Sequence, residues 1–142
     1  MHLIDHIARV PRAFVPERGD EALAQLPALA PELRALVHGT AASSPYLKGL
    51  IETHAIWLIE AVEDIDGAAQ AELTRVAALE RAELKQGLRL AKGRIALLTG
   101  LADLAGVWSL ERVTGLLSDF AAICCDVAVR AEIADLIRRG KL

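Results

Sequence analysis

Apolar residues recur at three- and four-residue spacing through most of the chain, which is the period of an amphipathic α-helix and not the alternation of a strand. The clearest stripe is Tyr46, Leu47, Leu50, Ile51, His54, Trp57, Leu58, Ala61 and Val62. Ser44-Pro45 ahead of it supplies an N-cap hydroxyl and a proline at the first helical position. The spacing predicts a helix from there to about Asp66-Gly67, where glycine can take the left-handed conformation beyond a helix end. A second stripe, from Ala71 through Val76, Leu79, Leu84, Leu88, Ala91, Ile95 and Leu101 to Leu104, predicts one long helix over about 68–104, weakened at Gly87 and Gly93. A third, from Val113 through Leu116, Phe120, Cys124 and Val127 to Ile137, predicts a last helix from Leu110 to about Arg139. Ser109 is its N-cap and Arg138, Arg139 and Lys141 complement its negative end.

The first third reads differently. All five prolines, Pro11, Pro16, Pro27, Pro31 and Pro45, fall within it. A short helix over 3–10 ends before Pro11, Arg12 to Gly19 reads as irregular, and Glu21 to Leu26 makes one or two turns. Pro31 opens a turn that runs through Leu36 to a stop at His38-Gly39, and Thr40 to Ser44 follows as a polar linker. The expected architecture is therefore all-α: an antiparallel bundle of three long helices over 44–142, preceded by an irregular, proline-containing arm of short helices over 1–43. Trp57 and Phe120 are expected in one shared core, with Trp108, in the loop before Ser109, at most partly covered.

Composition agrees, since 26 Ala and 23 Leu stand against five aromatic residues. A net charge of −3 provides no electrostatic footprint for nucleic acid. The N-terminus carries acid and lacks the basic and apolar regions of a signal peptide, and no apolar run is long enough to span a bilayer, so a cytoplasmic setting without membrane contact is expected. Cys124 and Cys125 are adjacent and point in different directions on a helix, so they form neither a disulfide framework nor a zinc pair.

Few residues carry candidate chemistry. Asp64-Ile65-Asp66 is the nearest approach to a magnesium-holding acid pair, but it follows a helical stripe and precedes Gly67, which reads as a solvated helix end. His2 and His6 share a face near Asp5 without a third metal ligand. His54 reads as an interhelical hydrogen-bonding histidine and His38 as a helix C-terminal residue. Cys124 reads as buried and Cys125 as inert. Arg89, Lys92 and Arg94 form a basic patch that either contacts acids of neighbouring helices, such as Glu52 or Asp119, or meets an anionic partner. Periodicity and chemistry alone stop at an all-α interaction module.

Specific strings go further. Ser43-Ser44-Pro45-Tyr46-Leu47, the run from Leu88 to Leu98 containing Arg89, Lys92 and Arg94, the run from Leu101 to Thr114 containing Trp108, and Leu117-Ser118-Asp119-Phe120-Ala121 appear in this order. In order and spacing they resemble the N-terminal helical region of the bacterial glutamine synthetase adenylyltransferase/deadenylyltransferase family, over about residues 43–130. Gly93 stands where that family carries a basic residue.

The resemblance implies a parent enzyme with two nucleotidyltransferase halves. One removes AMP from a tyrosine of glutamine synthetase by phosphorolysis; the other attaches AMP from ATP, under control of the PII signalling protein and glutamine. Their glycine turns and Asp-x-Asp magnesium pairs would begin beyond Leu142. No catalytic, cofactor-binding or metal-binding residue is therefore carried over onto this chain, and Mg2+ and ATP belong to the parent family. The implied partners are the remainder of the parent chain, glutamine synthetase and PII. A stand-alone helical adaptor, motivated by the 54% hydrophobic content, is the alternative.

Overall fold

A computed structural model describes all residues, Met1–Leu142. After a single 3-10 turn at Leu3–His6 come seven helices and no strand: α1 (Pro16–Leu23), α2 (Pro31–Ser43), α3 (Pro45–Thr53), α4 (Ala55–Ala61), α5 (Ile65–Ala77), α6 (Arg81–Leu104) and α7 (Leu110–Arg138). The all-α expectation holds, with the starts of α2, α3 and α7 set by the chemistry read from the sequence. Pro31 and Pro45 open α2 and α3, the Ser44 hydroxyl accepts from the Leu47 N–H at 3.1 Å, and the Ser109 hydroxyl accepts from Arg112 N–H at 3.1 Å.

Two predicted long helices are each divided. The helix expected over 44–66 breaks at His54, whose backbone (φ −110°, ψ 24°) leaves the helical region. The bend lets Ile51 of α3 and Leu58 of α4 both reach full burial. It also ends at Ala61, and Asp64 begins the next helix instead of closing this one: its carboxylate accepts from the Gly67 N–H at 3.1 Å. The helix expected over 68–104 breaks at Ala78-Leu79-Glu80 and not at its glycines. Gly87, Gly93 and Gly100 of α6 are points of close approach, where an added Cβ would lie 2.5 Å from Leu79, 2.6 Å from His54 and 2.9 Å from Leu47.

The arm differs too. Val15 precedes a helix that takes in Glu17 and Arg18, so 12–19 is not wholly irregular. Helix α2 runs through His38-Gly39 to Ser43, and Thr40, Ala41 and Ala42 are buried, so no polar linker exists there. A polar-looking string of small residues suits a helix face pressed closely on its neighbours.

Helices α5, α6 and α7 form the long packing unit. Arg75 donates to the Gly87 carbonyl and Arg94 to Glu72, the register of an antiparallel α5–α6 pair; Arg81 meets Asp135 while Ala91 packs with Val127, so α6 and α7 are antiparallel as well. The main core joins Leu36, Ile51, Leu58, Ile65, Leu98 and Leu101 with Leu3 from the first turn. The chain start is strapped across it: Leu3 N–H donates to the Val62 carbonyl at 2.9 Å, Ala8 N–H to Ala105 at 2.9 Å, and the Arg9 side chain to the carbonyls of Asp103 and Leu104.

The aromatic expectations are partly reversed. Trp108 is only 5% exposed and belongs to the main core, whereas Phe120 and Trp57 are half-buried at its edge. The reason is the loop geometry. Gly106 takes a positive φ of 70°, and the N–H groups of Val107 and Trp108 both turn back to the Ala102 carbonyl, which swings the indole inward. The Arg112 guanidinium closes over its face, 4.8 Å from the ring centroid. Trp108→Ala is therefore expected to cost about 3–5 kcal/mol and Phe120→Ala clearly less. Denaturant melts of both variants check this; a larger loss for Phe120→Ala would contradict the burial order.

Candidate functional site

The carboxylates singled out by sequence are taken up by structure. Asp64 caps α5 and pairs with the terminal ammonium of Met1 at 2.5 Å, contacts that hold its carboxyl below the usual carboxylate range. Asp66 lies 3.9 Å from the same ammonium through one oxygen and meets Arg112 at 3.1 Å through the other, joining the start of α5 to α7. His2 reaches Asp5 at 3.2 Å and Glu63 at 3.0 Å; His6 is exposed and does not share that contact. His38 lies inside α2, not at its end, and pairs with Asp20 of α1 at 3.1 Å. Cys124 is half-buried, which pushes its thiol pKa up, and Cys125 is exposed.

The basic patch separates into two kinds of residue. Arg89 and Lys92 are exposed on α6. Arg94 turns to the other side, where its partner is neither Glu52 nor Asp119 but Glu72 of α5, at 2.6 Å. Glu72 is only 3% exposed and also accepts two hydrogen bonds from Arg75, at 2.7 and 3.3 Å. A carboxylate so deeply placed is tolerable because two guanidiniums satisfy it. Glu52, meanwhile, takes Lys48 at 2.6 Å, and Lys48 also reaches Glu21 of α1 at 3.0 Å, which raises the Lys48 pKa.

Above Glu72 the cluster continues through aromatic contacts. The Arg94 guanidinium lies 5.0 Å from the Trp57 ring centroid, and the Trp57 ring meets His54 edge-on at 6.3 Å. His54, at the α3–α4 break, is 8% exposed and rests against the bare backbone of Gly93, packing there in place of the expected interhelical hydrogen bond. Burial first, and the Arg94 charge second, push its pKa below the ordinary 6.5, with Glu72 pulling the other way. A cleft of about 530 Å³ opens beside this cluster, lined by Gln25, Glu52, His54, Trp57, Glu60 and Arg94. Its charges are mixed and its cation is already spent on Glu72, so the arrangement acts as a clamp between α4, α5 and α6. Periodicity missed Glu72; its only sequence signal is Arg75 at the i+3 spacing of a helical ion pair. Asp135, 6% exposed, is similar: Arg138 at 2.6 Å and Arg139 at 3.4 Å from its own helix, with Arg81 from α6, hold its carboxyl low.

Two expectations follow from the His54–Gly93 contact. Gly93→Ala places a methyl against the imidazole and should destabilise the chain by about 1–3 kcal/mol, while Gly115→Ala, with no atom within 4 Å of the added carbon, should stabilise it by about 0.5–1 kcal/mol. Equal melting midpoints for the two variants would contradict the close approach. The lowered His54 pKa favours the neutral ring in the fold, so its contribution is complete above pH 6.5 and is lost as the pH falls through the folded-state value. Acidification past pH 6.5 should therefore lower Tm in the native chain more than in His54→Gln. An NMR titration midpoint for His54 at or above 6.5 would refute the burial argument.

The glutamate-ammonia ligase adenylyltransferase family matches residues 21–141. The bifunctional glutamine synthetase adenylyltransferase/adenylyl-removing enzyme of Bradyrhizobium diazoefficiens is 37% identical over 115 residues, 77% of this chain and 12% of that protein. The proteins of the same name from Xanthobacter autotrophicus and a further Bradyrhizobium species are 35% and 31% identical, across 80% and 99% of this chain but 12% and 16% of their own lengths. No solved structure matches. The chain thus spans less than a fifth of the relatives it resembles, while nearly all of its helical unit from α1 onward falls within the match: it belongs to the glutamate-ammonia ligase adenylyltransferase family.

Proposed function

We propose that the chain is the non-catalytic, N-terminal helical segment of a cytoplasmic, bifunctional glutamine synthetase adenylyl-removing/adenylyltransferase. Its role is to pack against and orient the nucleotidyltransferase domain that removes AMP from glutamine synthetase, within the regulation of nitrogen assimilation. The carrying observation is a match over residues 21–141 to enzymes of which the matched stretch makes up only 12–16%. The state of the acids supports a structural role: Asp64, Asp66, Glu72 and Asp135 each hold two elements together or cap a helix. Magnesium and ATP would be bound by the remainder of the enzyme, and contacts with glutamine synthetase and PII would belong to the assembled protein.

The purified 142-residue chain should release no AMP from adenylylated glutamine synthetase in the presence of phosphate and magnesium. Measurable phosphorolysis would overturn the non-catalytic reading. The second reading, a stand-alone helical adaptor, is favoured by the exposed apolar side chains of α7, among them Val129 and Ile137. Continuation of the reading frame past Leu142 into a glycine-rich turn and an Asp-x-Asp pair separates the two.

A further inference from the structure

Helix α7 is buried on one side only. Leu116, Phe120, Ile123 and Val127 face α5 and α6. On the opposite side, Leu117, Ala121, Cys125, Val129, Ile133 and Ile137 follow one another at intervals of four, all exposed, with Leu117 at 43%, Val129 at 57%, Ile133 at 43% and Ile137 at 58%. Residues four apart form a continuous ridge on a helix surface, and twenty residue steps make this one about 30 Å long. Solvated helices carry polar residues along such a row. Here the charged residues lie beside it: Asp126 is engaged with Arg130 at 2.9 Å, and Glu132 with Arg81 at 2.9 Å, so neither breaks the ridge.

We infer that this ridge is the surface by which the segment docks onto the remainder of the adenylyltransferase chain, an inference that rests on the function proposed above. The occupant is argued from length. The relatives carry the matched stretch as 12–16% of a much longer chain, and an apolar helix face on a small part of a large protein is what an intramolecular interface leaves when that part stands alone. The complementary surface is an apolar groove that accepts a helical ridge.

Cys125 lies within the ridge and reports on it, while half-buried Cys124 is an internal reference. In the 142-residue chain, Cys125 should react readily with a maleimide. When this sequence replaces the matched stretch in the full-length Bradyrhizobium diazoefficiens enzyme, labelling of Cys125 should slow by about tenfold or more, and Ile133→Glu should reduce AMP removal by that chimera while leaving the melt of the 142-residue chain unchanged. Equal labelling of Cys125 in the chain and in an active chimera would overturn the docking surface and leave the proposed function standing. A chimera without AMP-removing activity would count against the function itself, and the surface would fall with it. A dimer of the 142-residue chain by light scattering, dissociated by Ile133→Glu, would assign the ridge to a second copy and overturn the inference.

Discussion

The architecture turns on one buried carboxylate. Glu72 sits 3% exposed between α5 and α6, and desolvating a charge there is unfavourable unless it is fully paired. Arg75 satisfies it from its own helix and Arg94 from the next one, so the pair fixes the sliding register of α5 against α6. Arg94 then lies over Trp57, which brings α4 into the same constraint, and His54 fills the space that Gly93 leaves open. Apolar packing alone tolerates shifts in register; directional bonds to a carboxylate do not. A chain built mostly from Ala and Leu, whose helix faces offer little shape to distinguish one register from another, gains specificity from such a contact.

Much of this fold was legible in the sequence, because its starts are written in residues with local effects. Ser44, Ser109, Pro31 and Pro45 act through the first turn that follows them, and each does so here. The breaks at His54 and at Ala78-Leu79-Glu80 left no such trace. Neither contains proline or glycine, and both arise because tertiary contacts to α6 outweigh a helix of continuous periodicity. Trp108 departs from its expected exposure for the opposite reason: a loop position suggests exposure, while the turn at Gly106 aims the indole into the core. Glu72 was invisible because periodicity assigns every charge to solvent. The family, by contrast, showed through strings of residues whose order needs no fold to be recognised.

The candidate chemistry resolved in one direction. Several acids and bases that could have formed a site are spent between elements: Asp64 and Asp66 at the start of α5, Lys48 between α1 and α3, Asp135 where α6 meets α7. Arg89 and Lys92 stay exposed on α6, the Arg94 Nε and Trp108 Nε1 groups are buried without a partner, and the exposed apolar surface runs along α7. Polar groups therefore settle the internal geometry, and the unspent hydrophobic surface faces outward, the distribution of a part made to be built upon.

The strap at the start of the chain sets an order of assembly. Met1 reaches Asp64 across 63 positions and Arg9 reaches Leu104 across 95. These are among the most distant contacts in the molecule, and closing such loops is entropically demanding until both ends are already placed. During synthesis residues 1–9 precede their partners, so they wait, unpaired, until α6 has emerged and folded to its final carbonyls. The strap thus closes after its partners, and it serves as a latch that reports, by being shut, that the helices beneath it have found their places.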